Sequence, residues 1–309
     1  MRMIPMSSKL RRLLAASAAA TLLVAGCGTE SDGDGDALRV VAGFYPLEWT
    51  TARVGGGLVD VTSLTPPGAE AHDLELAPQD VGAIADADLL VHLEGFQPAV
   101  DEAAANQAAA SAWDAGTVAD LIPAAGGDEH GDEHGDEHDP HFWLDPARLA
   151  DVGDAVAVQL AELDPDNSGT YEQNAADLRA DLEALDGEII DALRDCSADT
   201  LVTSHEAFGY LGARYGFQVV GISGISPSQE PDPAALAEIA DLVEQRGVTT
   251  VYTETLVDPA VAETVAEEAG VDTAVLDPLE GLSDSSAGED YLEVMRVNAD
   301  TLREGQSCS

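Results

Sequence analysis

At 309 residues with 45% apolar content, the chain has material for a substantial core divided between two domains, which excludes disorder throughout. Its 59 acidic residues against 13 basic ones give a formal net charge of -46, which excludes nucleic acid and bare anionic membrane as specific partners. What remains is a cationic ligand or partner, or a uniformly solvated, salt-tolerant surface.

The chain opens with Arg2, Lys9, Arg11 and Arg12 ahead of the apolar run LLAASAAATLLVAG, a charged start and short apolar stretch that describe an export signal over residues 1–26. The run is too short and alanine-rich for a spanning helix. Val24-Ala25-Gly26-Cys27 resembles a bacterial lipobox, which implies lipid modification of Cys27 and anchoring to the outer face of the cytoplasmic membrane. Residues 27–37, polar and acidic, then read as a flexible tether.

From Leu38 onward, short apolar runs alternate with amphipathic stretches. Strands are expected at 38–44, 59–65, 88–93 and 117–122, with helices near 46–56, 78–86, 97–112 and 146–163. That pattern predicts an α/β lobe with a parallel sheet over 38–165. A long helix follows within 166–198, because Tyr171, Ala175, Leu178, Leu182, Leu185, Ile189 and Leu193 recur at spacings of three and four. At 1.5 Å per residue it is roughly 40 Å long, enough to touch both lobes. Gly187 within it costs only about 1 kcal/mol relative to alanine.

The second lobe, 199–309, repeats the pattern. Strands are expected at 200–205, 218–223, 250–255 and 273–278, and helices near 206–215, 233–246, 258–269 and 289–304. Once Cys27 is assigned to lipid, Cys196 and Cys308 remain, and in an oxidising compartment two such cysteines read as a disulfide.

Four of the seven histidines fall within GGDEHGDEHGDEHDPHFWLDP. His130, His134 and His138 sit in three G-D-E-H copies, whose glycines and dense charge oppose helix and strand alike, so the loop 126–140 reads as an auxiliary arm that captures divalent cations weakly. His141 differs, because Phe142, Trp143 and Leu144 anchor it ahead of a helix that Asp145 can cap. Ligands in α/β lobes gather at the carboxyl ends of parallel strands, and His72, His205 and Asp277 occupy that position. Three imidazoles and a carboxylate, two donors from each lobe, suit Zn(II). His92 reads as a packed or rim residue, and Trp49, Trp113 and Trp143 as lobe packing.

With these residues in view, the chain resembles the metal-binding solute-binding proteins of bacterial ABC transporters, in particular the zinc-uptake branch. FYPLEWTTARVGGG resembles the family's opening strand and helix, TPPGAEAHDLELAPQD its first metal loop, DPHFWLDP its second, VTSHEAFGYLGARYGF its third and GISPSQEPDP the segment after it. Matched residue by residue, the resemblance implies metal ligands at His72, His141, His205 and Asp277, with the histidine-rich insertion typical of the zinc branch. Ala71 departs from a proline that often precedes the first histidine. The resemblance further implies two β/α lobes joined by a long helix, Zn(II) as the transported ligand, a monomer, and a permease with its ATPase as partners.

Other readings stand beside it. Manganese-binding relatives generally place a carboxylate where this chain has His205, and more oxygen donors suit the harder ion. Glu70 and Glu206 flank two ligands and could accept hydrogen bonds from them or substitute for Asp277. A metal-dependent adhesin or store shares the same signals. A zinc hydrolase would use Glu206 as base, yet H-E-x-x-H is missing and a fourth protein ligand closes the position that water needs. No enzymatic activity is expected.

Overall fold

A computed structural model describes residues 37–124, 138–229, 231 and 233–309. The export signal, Cys27, nearly all of the tether, and His130 and His134 of the arm lie outside the described residues.

The first lobe runs β1 (Leu38–Ala42), α1 (Tyr45–Gly55), β2 (Val59–Ser63), α2 (Pro78–Asp86), β3 (Leu89–His92), α3 (Pro98–Gln107), β4 (Ala112–Asp114), α4 (Gly116–Ala119) and α5 (Pro146–Leu163). After α6 (Ser168–Ala192), the second lobe runs β5 (Thr200–Thr203), α7 (Gly209–Tyr215), β6 (Gln218–Gly221), α8 (Pro233–Arg246), β7 (Thr250–Thr253), α9 (Ala260–Ala269), β8 (Asp272–Val275) and α10 (Tyr291–Gly305). Both sheets are parallel, ordered β2-β1-β3-β4 and β6-β5-β7-β8. In each, the order reverses beside the first strand, so a crevice opens at the carboxyl ends there.

Alternate residues of the central strands feed different layers. Val41 and Leu90 enter an outer cluster with Ile84 and Val100, whereas Val40, Ala42, Leu89 and Val91 face inward. In the second lobe Val202 and Val251 face an outer cluster with Val243 and Val265, while Leu201 and Tyr252 face inward. The two inward faces belong to one continuous core. Through its middle runs α6, 25 residues and so about 38 Å long, with Tyr171, Ala175, Leu178, Leu182, Leu185 and Ile189 buried as the spacing predicts.

Helix α6 packs on α1 and α5 of the first lobe and on α10 of the second. Its approach to α5 requires Gly153, where a Cβ would lie 2.9 Å from Leu178 Cδ2, while a Cβ at Gly187 would meet nothing within 4 Å. Its acidic face takes arginines from both lobes: Arg53 meets Asp181, Arg214 meets Asp186 and Arg296 meets Glu188. These exposed pairs contribute little individually, on the order of 0–1 kcal/mol. Bracing comes mainly from the shared apolar stripe.

One expected strand is absent. Residues 117–122 do not extend, because Asp114 Oδ1 accepts from Gly116 N at 2.9 Å and Thr117 Oγ1 donates to Asp114 O at 2.7 Å, which starts the turn of α4. The fourth strand is instead Ala112–Asp114, paired with Leu90–His92. Helix α3 accordingly ends at Gln107 rather than 112.

Cys196 and Cys308 form a disulfide across 112 residues, tying the end of α6 to the end of α10. Such a long closed loop restricts the unfolded chain strongly. Replacing both cysteines by alanine is expected to lower stability by about 2–5 kcal/mol, read by urea denaturation as a lower unfolding free energy with a steeper slope, because the unfolded chain expands.

Candidate metal centre

Each donor side chain is delivered by a loop whose backbone is fixed from outside. His72 follows β2 on the loop 64–77, which Gln97 holds by donating from Nε2 to Thr65 Oγ1 (2.9 Å) and to Ala71 O (3.1 Å). Glu70 accepts from the backbone N–H groups of His72 (2.8 Å) and Asp73 (3.0 Å), so it grips the turn rather than the imidazole. The His72 ring rests edge-on against Phe96 and retains 8% exposure.

His141 follows β4 and α4 on a segment held by the second lobe. Tyr210 of α7 accepts from Ile122 N (2.9 Å) and donates to Asp139 O (2.7 Å). Asp139 Oδ1 in turn accepts from both the backbone N (2.9 Å) and Nδ1 (2.8 Å) of His141. With Nδ1 engaged, Nε2 is left to face the cleft. Asp145 caps α5 through Ala147 N, as expected.

His205 stands at the carboxyl end of β5 and is fully buried. Register between β5 and β7 pairs Thr203 with Tyr252, and two residues beyond, His205 meets Glu254. The Glu254 carboxylate spans backbone N (3.0 Å) and Nδ1 (2.6 Å) of His205.

The carboxylate grouped with the three imidazoles is Glu280, and the expected Asp277 lies outside the group. Asp277 is buried beyond the end of β8, but Oδ1 accepts from Leu279 N (2.8 Å) and Oδ2 from Ser286 Oγ (3.0 Å), and it stands outside the donor group. Glu280, three residues on, points its carboxylate at all three imidazoles. Its Oε1 lies 3.1 Å from His205 Nε2 and 3.4 Å from Nε2 of both His72 and His141. His72 Nε2 and His141 Nε2 are 3.3 Å apart, and all four donor atoms fall within 4.8 Å of one another. A tetrahedral zinc with bonds of about 2.0–2.1 Å requires donor separations of about 3.3 Å, and the separations among His72, His141 and Glu280 and between Glu280 and His205 match it.

Electrostatics prepare the site for a cation. Burial works against charge on Glu280, but hydrogen bonds from His141, His205 and His72 hold its carboxyl well below the usual range. Burial likewise lowers His205, and the charges and hydrogen bonds of Glu254 and Glu280 override it, raising the imidazole to about 10. His141 is raised in the same sense, with Asp139 and Glu280 outweighing burial. Both raised imidazoles, His141 and His205, face the Glu280 carboxylate through Nε2.

The remaining expected residues lie elsewhere. Glu206 follows His205 yet makes no hydrogen bond to an imidazole among the described residues; burial and the neighbouring Asp139 raise its carboxyl. His138 is exposed, opposite Pro123 in an antiparallel bridge at the root of the arm. His92 is buried with Nδ1 3.3 Å from Asp101 Oδ1, a packed residue outside the cluster. Asp139, Glu254 and Glu280 escaped the sequence reading. D-P-L-E carried one usable signal, since aspartate before proline favours a side-chain-capped turn over an outward-pointing ligand.

The comparisons with known proteins agree with this geometry. The chain is 37% identical over 304 residues to the high-affinity zinc uptake system protein ZnuA of Bacillus subtilis, covering 93% of this chain and 95% of that protein. It is 36% identical to the zinc-binding lipoprotein AdcA of Streptococcus pneumoniae across 94% of this chain, which spans 60% of AdcA's length. Among solved structures, the laminin-binding protein Lmb of Streptococcus agalactiae superposes with a TM-score of 0.78 at 32% identity, covering 87% of this chain and 99% of that one. A Zn(II)-bound AdcAII variant of Streptococcus pneumoniae gives a TM-score of 0.78 at 31% identity, over 88% of this chain and 99% of that one. The family model for the periplasmic component A of zinc-uptake complexes matches residues 40–305, which takes in both lobes and all four donors. By that match and by these relatives, the chain belongs to the ZnuA family.

Proposed function

We propose that this protein captures Zn(II) outside the cytoplasm between its two lobes and delivers it to an ABC-type permease. The observation that carries the reading is the convergence of His72, His141, His205 and Glu280, two donors from each lobe, with all four donor atoms within 4.8 Å of one another. Three nitrogens and one oxygen favour zinc over the harder manganese ion. Four protein donors make a closed site, suited to holding an ion rather than activating water.

Binding proceeds by exchange: zinc displaces protons from the raised imidazoles of His141 and His205 beside Glu280, and each of these rings stays oriented by the carboxylate on its Nδ1. His72, the one histidine of the three with solvent exposure and without a carboxylate on Nδ1 among the described residues, forms the side through which the ion enters and leaves. Because α6 is buried against both lobes, capture leaves the lobes in place. Small-angle scattering is expected to show the same radius of gyration with and without zinc.

The leader, Cys27 and tether support a lipid-anchored monomer on the outer face of the membrane, and the likeness to a protein named a lipoprotein supports the same reading. The G-D-E-H arm serves as a weak collector. Zinc titration calorimetry with elemental analysis on residues 28–309 tests the whole, using unmodified protein, His141→Ala and a deletion of 128–137. Loss of the tight site in His141→Ala with its survival in the deletion supports the reading; the reverse pattern places the site in the arm and sinks it.

A further inference from the structure

The carboxylate that completes the cluster arrives on a loop whose backbone is held at Asp277, Pro278 and Leu279. Residues 276–280 are all buried, and Leu279 has φ +59°, a left-handed backbone that non-glycine residues seldom adopt. Regular pairing ends with β8, so side chains supply the bonds. Asn298 of α10 accepts from Asp277 N at 3.0 Å and donates from Nδ2 to Asp277 O at 2.7 Å. Trp143, two residues from His141 in the other lobe, donates from Nε1 to Pro278 O at 2.8 Å. Asp277 Oδ1 accepts from Leu279 N at 2.8 Å, closing the turn immediately before Glu280.

We propose that Asp277 is a positioning residue for zinc: gripped by Asn298, it holds Leu279 in its left-handed conformation and thereby presents Glu280 to the three histidines before metal arrives. The proposal rests on the reading of Glu280 as a ligand. Both Asp277 oxygens are occupied, by Leu279 N and Ser286 Oγ, so its part is geometric and its charge is dispensable. Asparagine keeps an Oδ1 acceptor for Leu279 N and can donate to the Ser286 hydroxyl. Alanine keeps neither. A groove of about 560 Å³ lined by Asp277, Asn298, Thr255 and Ser285 opens beside the loop, so water can reach the groups that alanine frees, and the variant is expected to fold.

The test compares Asp277→Asn, Asp277→Ala and Glu280→Gln with unmodified protein, by zinc competition against a chromophoric chelator and by the visible spectra of the Co(II) complexes. Asp277→Asn is expected to bind zinc within about threefold of the parent with the parental Co(II) spectrum. Asp277→Ala should bind about tenfold or more weakly, in the range for groups that orient ligands, and its Co(II) bands should change as Glu280 leaves its place. Parental affinity and spectrum in Asp277→Ala overturn the proposal. Severe loss in Asp277→Asn with retention in Glu280→Gln makes Asp277 the ligand and overturns the reading of Glu280 as well. Loss in Glu280→Gln with no effect of either Asp277 variant overturns the positioning role alone. If Asp277→Ala does not fold, Asn298→Ala decides: a tenfold loss with altered Co(II) bands supports the clamp, and unchanged binding overturns it.

Discussion

Replacing His205 by alanine is expected to weaken zinc binding about a hundredfold to a thousandfold and to destabilise the metal-free protein by about 3–5 kcal/mol. Binding free energies of about 10–16 kcal/mol for closed zinc sites, shared over four donors, place about 2.5–4 kcal/mol on each. Each 1.4 kcal/mol is about tenfold in affinity, so one lost donor amounts to about two to three powers of ten. The second effect has a different cause. His205 carries a proton in the metal-free protein, with its imidazole raised to about 10 mainly because Glu254, and then Glu280, outweigh its burial. Alanine leaves those two buried carboxylates without that cation, and an uncompensated buried charge costs far more than a lost surface pair. Urea denaturation of chelator-treated protein measures this term, and chelator competition measures the first. His92→Ala is the matched control, since His92 also lies beside a carboxylate but outside the cluster. A comparable zinc loss in that control would mean that binding responds to general loosening of the fold.

Much of this architecture is legible in the sequence because it repeats. Seven of eight short apolar runs between amphipathic stretches become strands of the two parallel sheets, and six of seven residues at helical spacing form the buried stripe of α6. The failures are equally instructive. Ala112–Asp114 is too short to show alternation, while the neighbouring TVADLI shows it and is diverted into a helical turn by the Asp114 side chain. The three histidines stand at strand ends or on anchored loops, where residue type and position together point to a ligand. The carboxylate does not, because Asp277 and Glu280 are both acidic, both buried and three residues apart. Leu279 between them takes a left-handed backbone, and no side-chain pattern encodes that dihedral angle. Asp139 and Glu254 were invisible for a related reason: a carboxylate is recognised as orienting an imidazole only once strand register and loop path bring the two together.

Zinc affinity is expected to fall by at least about tenfold per pH unit on acidification, a thousandfold or more between pH 8 and pH 5, because the metal must displace protons that the cluster holds tightly. With His205 raised to about 10, at least one proton leaves per zinc bound at pH 7, and the raised His141 adds a second as pH falls. Calorimetry at pH 7 in buffers of different ionisation enthalpy reads that number as a slope, and a slope of zero would contradict the imidazole-carboxylate cluster. The same protons shape the stability of the metal-free protein. A histidine raised in the folded state stabilises fully below its unfolded value of about 6.5, and His205's contribution is lost as pH rises toward about 10. Glu280, held low, stabilises above its unfolded value of about 4.3, and that contribution is lost as pH falls through its depressed folded value. Taken alone, these two groups make the metal-free cluster most stabilising between about pH 4.5 and 6.5, where protons substitute best for metal. Zinc therefore adds least stability in that acidic window and progressively more toward pH 9. Thermal melts with and without zinc across pH 5 to 9 should show the gap in Tm widening with pH, and a gap that narrows would show that protons and zinc do not compete for the same four side chains.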